Sequence, residues 1–186
     1  MKKIDPLYIL LVLVLMFSGC HRERNKADSK RLNNLDSLLN IQAQPIADSL
    51  KAINPKQLSS YNRACYQLLD VIAKDKACYT FTSDSLINST VKTLSHYKRE
   101  FPRNYARALM YQGLVRYRMG ITDSTAFIPI KEAISFFNTD DKQSMSNKCL
   151  CYYYLGEIHY ACGSLNISSG YYLQSLEIAK KLDNNT

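Results

Sequence analysis

A chain of 186 residues, 46% hydrophobic and carrying a formal charge of +8, is long enough for one domain or a short repeat array with a sizeable core. Its basicity is modest, and neither a Gly-aromatic sheet motif nor a recognition-helix signature accompanies it, so a nucleic-acid partner is not expected. Nucleophile elbow, phosphate loop, metalloprotease helix and matched acid pair are all missing from the sequence, which argues against an enzyme and calls for no cofactor.

The first element is Met1-Lys2-Lys3 followed by the apolar stretch Leu7 to Phe17. That stretch is shorter than the about 20 residues a membrane-spanning helix needs and suits the apolar region of a signal peptide, residues 1–19. It stops at Phe17-Ser18-Gly19-Cys20, which resembles the lipobox of bacterial lipoproteins. The resemblance implies cleavage before Cys20, lipid on its thiol, and a mature protein held in the cell envelope. Asp is not the residue after Cys20. By the same resemblance the anchor belongs in the outer membrane, with the chain facing the periplasm.

Residues 20–31 form a basic segment beside the lipid, with Arg22, Arg24, Lys26, Lys30 and Arg31 against Glu23 and Asp28. It is expected to act as a linker and to add attraction to anionic head groups. Next come Leu32, Leu35, Leu38 and Leu39 on one apolar face, then Ile46, Leu50 and Ile53 after Pro45. Proline is at home in a first helical turn, so residues 32–57 are predicted to be a degenerate capping hairpin of helices.

From residue 58 the sequence repeats. An offset of 43 aligns Tyr66-Gln67-Leu68-Leu69-Asp70 with Leu109-Met110-Tyr111-Gln112-Gly113 and with Tyr152-Tyr153-Tyr154-Leu155-Gly156. Three copies fill 58–100, 101–143 and 144–186, a stacked array of supersecondary units. Apolar residues recur at helical spacing, as in Ile130, Ala133, Ile134 and Phe137, so each copy is predicted to be two antiparallel helices. Tyr152-x-x-Leu155-Gly156, Gly163, Tyr171-Tyr172 and Leu176 resemble the two helices of a tetratricopeptide repeat. Leu109, Gly113, Gly120, Ala126, Ile130 and Ala133 repeat that pattern with one extra loop residue. The resemblance implies an all-α fold, a right-handed superhelical array of antiparallel helix hairpins. It also implies that the small residue after Leu lets the helices approach and that the later Gly ends the first helix in a left-handed conformation.

Beyond Cys20, five cysteines remain: Cys65, Cys78, Cys149, Cys151 and Cys162. They lie in copies one and three only, too far apart in a stacked array for the 4.4–6.8 Å that bonded Cα atoms require, so no intramolecular disulfide is expected. Cys149, Cys151, His159 and Cys162 combine zinc-ligand types, but helical residues two apart face opposite sides. They are expected to pack as small apolar groups, with His159 between helices, and no metal site is predicted. Asp36-Ser37-Leu38, Asp48-Ser49-Leu50, Asp84-Ser85-Leu86 and Asp123-Ser124-Thr125 resemble a three-residue O-glycosylation acceptor of some envelope proteins; Asp84 and Asp123 also suit helix starts.

In the tetratricopeptide family the concave face is lined by the first helix of each pair. By that resemblance the partner-binding groove here consists of Arg107, Met110, Tyr111, Leu114, Tyr117 and Arg118 with Tyr153, Tyr154, Glu157 and Tyr160. Tyrosine offers contact area at low entropic cost and arginine forks onto carboxylates, so the lining suits an acidic or aromatic peptide. The function expected is protein–protein interaction by a membrane-anchored adaptor or envelope sensor. The alternatives are a structural scaffold of an outer-membrane complex and, third, a solute-binding lipoprotein. Copy three ends with more apolar residues on its second helix than copy two can cover, so that C-terminal edge is expected to be occupied, by a self-associating copy or by sequence missing from a shortened chain.

Overall fold

The computed structural model describes residues 25–39, 41–137 and 141–183. The predicted signal peptide, residues 1–19, and Cys20 lie outside the described residues. The described chain is all-helical: α1 (25–38), α2 (Ala43–Lys51), α3 (Ser60–Lys76), α4 (Ser85–Ser95), α5 (Pro102–Arg118), α6 (Ser124–Ile134), α7 (Lys142–Ala161) and α8 (Leu165–Asp183), with a short 3-10 turn at Pro55–Gln57. None of the helices among the described residues is long and apolar enough to cross a membrane.

Local chemistry sets the helix starts. Ser59 accepts from the Asn62 amide at α3, Asp123 from Thr125 at α6, and Asp141 from Gln143 and Ser144 at α7, each satisfying donors the first turn leaves open. Pro102 opens α5 with its φ already helical. Asp84 precedes α4 as the sequence suggests, but its side chain makes no cap bond; it pairs with Arg116 Nε at 2.8 Å, which holds its carboxyl below the usual range.

Helices pair in sequence. α3 packs on α4, α5 on α6 and α7 on α8, and each pair meets the next through α4 with α5 and α6 with α7, while α3 touches α5 and α5 touches α7. Leu50, Leu68, Ile72, Ile87, Leu94, Met110, Leu114, Ile130, Leu155 and Ile158 are fully buried in one continuous core. Paired helices leave no room for a side chain at Gly113 and Gly156. A Cβ on Gly113 would lie 2.2 Å from the Ala126 carbonyl, and one on Gly156 would meet the Tyr172 ring. The first helix of copies two and three ends at Gly120 and Gly163 with φ of +84° and +75°. In copy one Cys78 takes that left-handed conformation, φ +58°, without being glycine.

Pro129 sits inside α6 and has no N–H to give the Thr125 carbonyl. Arg116 Nη1 donates to that carbonyl at 2.8 Å, while its Nη2 donates to Asn88 and its Nε to Asp84. One side chain of α5 thus joins α4 to α6 and repairs the gap the proline leaves.

The basic segment is not a linker throughout. From residue 25 onward it is the start of α1, so the capping pair is longer than 32–57 at its N-terminal side. Asn62, buried on α3, donates to the Asn25 carbonyl and accepts from Ser29. Leu32 and Leu39 are buried, and Lys26, Lys30 and Arg31 project outward.

Candidate functional site

The ten residues predicted to line a groove separate into two groups. Arg107, Met110, Tyr111 and Leu114 are buried, which corrects the expectation that they face a partner. The cause is α1. Its Asp36 receives Arg107 Nη1 at 2.5 Å and Nη2 at 2.7 Å, a bidentate pair whose side chains are only 9% and 16% exposed. Burial opposes the charge on Arg107, but the bonds to Asp36 and its attraction outweigh that, and the guanidinium is held above its usual range. Burial pushes the Tyr111 phenol up as well. A cavity of about 80 Å³ remains over this pair, lined by Leu39, Ile72, Tyr111, Gln143 and Asn147 among others.

The second group stays accessible and is contiguous. Tyr153 is 43% exposed and Tyr160 63%; Tyr117, Tyr154 and Glu157 are half-buried and Arg118 is exposed. Tyr153 meets Tyr154 edge-on with centroids 5.4 Å apart and leans on Tyr172 at 6.0 Å. The Tyr172 hydroxyl donates to Glu157 at 2.5 Å. Burial and that carboxylate push the Tyr172 phenol up to about 12, and burial raises Tyr117 and Tyr154 too, so these phenols are neutral donors in ordinary conditions. The Arg118 guanidinium lies 5.9 Å from the Tyr154 ring, and its Nε donates to Asp75 at 3.0 Å.

This is a tyrosine ledge with one cationic corner, carried on the last turns of α5 and the C-terminal half of α7. It presents rings, hydroxyls and a guanidinium. Asp75 and Tyr172 belong to it or brace it, and sequence reasoning missed both. The signal for Asp75 was its position 43 residues before Arg118, which sets the two side by side on adjacent first helices.

Cys149 contacts Ser175, Cys162 donates to the Thr122 carbonyl at 2.9 Å, and Cys151 is fully buried. His159 stacks between Phe127 and Tyr171 at 5.1 and 5.4 Å, and burial, then Lys131, lowers its pKa. The four side chains go to different partners. Burial raises the Cys65 thiol to about 11, which leaves it protonated. Comparison with protein-family models, curated proteins and solved structures gives no match to this chain.

Proposed function

We propose that this chain is a lipid-anchored envelope protein, an array of tetratricopeptide-like hairpins whose tyrosine ledge binds another protein. The observation that carries the reading is the ledge: Tyr153 and Tyr160 are exposed on one helix face beside Tyr117, Tyr154, Glu157 and Arg118. Rigid aromatic rings around one arginine are the composition of an interface hot spot rather than of a solvated face. An aromatic or aliphatic side chain of the partner packs between Tyr117 and Tyr153. A partner carboxylate takes the terminal nitrogens of Arg118, since Asp75 occupies Nε. The superhelical arrangement is supported by the pairing order of the helices and by the glycines at 113 and 156. Binding, as adaptor or sensor, is preferred to catalysis because the ledge offers contact area, neutral hydroxyls and one guanidinium, the makings of an interface.

Two outcomes are expected. The variant Tyr153→Ser, Tyr160→Ser recovers at least tenfold less of whichever protein the wild-type chain retains from detergent-solubilised membranes. Its melting shifts little, because exposed substitutions cost within about 0.5 kcal/mol each; equal recovery by wild type and variant would refute the ledge. For the anchor, Cys20→Ala is expected to accumulate as unprocessed precursor or to leave the membrane fraction, since the lipid is covalent. Unchanged fractionation and unchanged migration would rule lipidation out.

A further inference from the structure

We infer that the edge of the array where α1 and α3 begin and α4 turns into α5 lies on an anionic bilayer, with a lipid head group seated between α1 and α3. The inference takes its place in the cell from the lipid-anchored reading above and its surface from the contacts of this edge.

Three stretches far apart in the sequence meet there. The buried Asn62, in the first turn of α3, donates to the Asn25 carbonyl and accepts from Ser29 of α1. Tyr61 beside it stacks on Phe101 with centroids 4.2 Å apart and meets Tyr97 at 5.2 Å, and its hydroxyl accepts from Asn104 at 2.8 Å. The starts of α1 and α3 and the turn before α5 are thus fixed as one surface. Its exposed charges are mostly of one sign: Lys26, Lys30 and Arg31 on α1, Lys56 before α3, and Lys98 and Arg99 before α5, against the exposed Glu100 and the half-buried Asp28. Arg103 adds little to the balance, since Asp141 stands 3.7 Å from it.

Between α1 and α3 this surface opens into a cleft of about 640 Å³ whose walls include Lys26, Lys30, Asn33, Asn34, Ser59 and Tyr61, and none of its lining residues is acidic. Like charges four residues apart on a helix repel, and an anion between Lys26 and Lys30 removes that cost. Ammonium groups hold a phosphate as point charges, while the amides and hydroxyls beside them suit the hydroxyls of a glycerol head group.

Position points to the same partner. Asn25 follows Cys20 by five residues, a span of at most about 18 Å when extended, so a lipid on Cys20 keeps the start of α1 near the bilayer. The field of an anionic surface fades over about 8 Å at physiological salt, and each basic group within it strengthens binding about fivefold. Only this edge is close enough to feel it. The 17 residues of α5 make a helix about 25 Å long with Tyr117 and Arg118 at its far end, so the ledge is presented away from the membrane.

The test uses the full chain, purified in mild detergent and reconstituted into vesicles of phosphatidylcholine alone or mixed with phosphatidylglycerol. A benzophenone amino acid replaces Asn34 in the cleft, His96 at the turn before α5 or, as the distant position, Tyr160; all three are exposed. Illumination is expected to attach lipid at Asn34 and at His96 at least tenfold more in the mixed vesicles than in the neutral ones, with no such difference at Tyr160. Salt at about 1 M, which shortens the screening length to about 3 Å, should bring both yields down to the neutral level. Lys30→Glu with Arg99→Glu should lower them at least tenfold at ordinary salt with unchanged circular dichroism. Equal yields in the two kinds of vesicle, a matching gain at Tyr160, yields indifferent to salt and to charge reversal, or cross-links onto a second copy of the chain instead of lipid would each overturn the docking. A chain found to carry no lipid would remove the anchor and leave this assay in force, because the vesicles supply the surface; a lipidated chain without the adducts would remove the docking and leave the anchor.

Discussion

Arg107→Ala is expected to cost about 3–5 kcal/mol of folding stability, the loss found when one member of a buried ion pair is removed. The size follows from the geometry: both Asp36 oxygens are engaged, at 2.5 and 2.7 Å, by a guanidinium that is 9% exposed. Without it a mostly buried carboxylate has lost its partner. Total stability of a domain this size is about 5–15 kcal/mol, so the variant sits near the edge of folding. α1 should be the first element to detach, since the pair joins residues far apart in the chain, and proteolysis within 25–39 should accelerate before the rest unfolds. Arg107→Met with Asp36→Leu should recover most of the loss, because replacing both charges by apolar groups of similar size is often neutral. Urea unfolding of the full chain in mild detergent measures all three. A loss under about 1 kcal/mol for Arg107→Ala would mean the pair is solvated and α1 is not fastened there.

That pair also explains where sequence reasoning stopped. The 43-residue period, the paired helices and the glycines at 113, 120, 156 and 163 were legible because they follow from apolar periodicity and from positions where a side chain cannot fit. The start of α1 was not. Residues Asn25, Lys26, Asp28, Ser29, Lys30 and Arg31 carry no apolar stripe, and the segment is seated instead by polar contacts of Asn62 with Asn25 and Ser29. A helix start docked by hydrogen bonds leaves no periodic trace, and the apolar spacing that did predict a helix at 32–39 says nothing of Asp36 pairing with Arg107, so the groove at Arg107, Met110, Tyr111 and Leu114 was expected open. Tyr153 and Tyr160 stay exposed, with Tyr154 and Glu157 half-buried beside them, because no described helix lies across that part of α7. The left-handed Cys78 was invisible for a related reason: glycine marks such a position in a sequence, and cysteine does not.

Gly113→Ala is expected to destabilise by about 2–3 kcal/mol, although alanine is the better helix former by about 1 kcal/mol. The added methyl would sit 2.2 Å from the Ala126 carbonyl oxygen and 2.5 Å from Ile130 Cγ1. The side chain can be trimmed but the carbonyl belongs to the α6 backbone, so Ile130→Val should rescue little, and α5 and α6 must separate to admit the methyl. Gly156→Ala should cost less, because its methyl meets the Tyr172 ring, which can swing aside at the loss of one hydrogen bond to Glu157, about 1 kcal/mol. The two substitutions therefore differ in consequence as well as size. Separation of α5 from α6 shifts Phe127 and Lys131 against His159 and Tyr171 and should lower the cooperativity of unfolding across the second and third pairs. Movement of Tyr172 disturbs Tyr153 and should weaken the ledge while leaving melting nearly unchanged. Thermal melts with partner capture on both variants separate these effects, and equal destabilisation by the two would mean that the spacing of α5 and α6 is not set by backbone contact at Gly113.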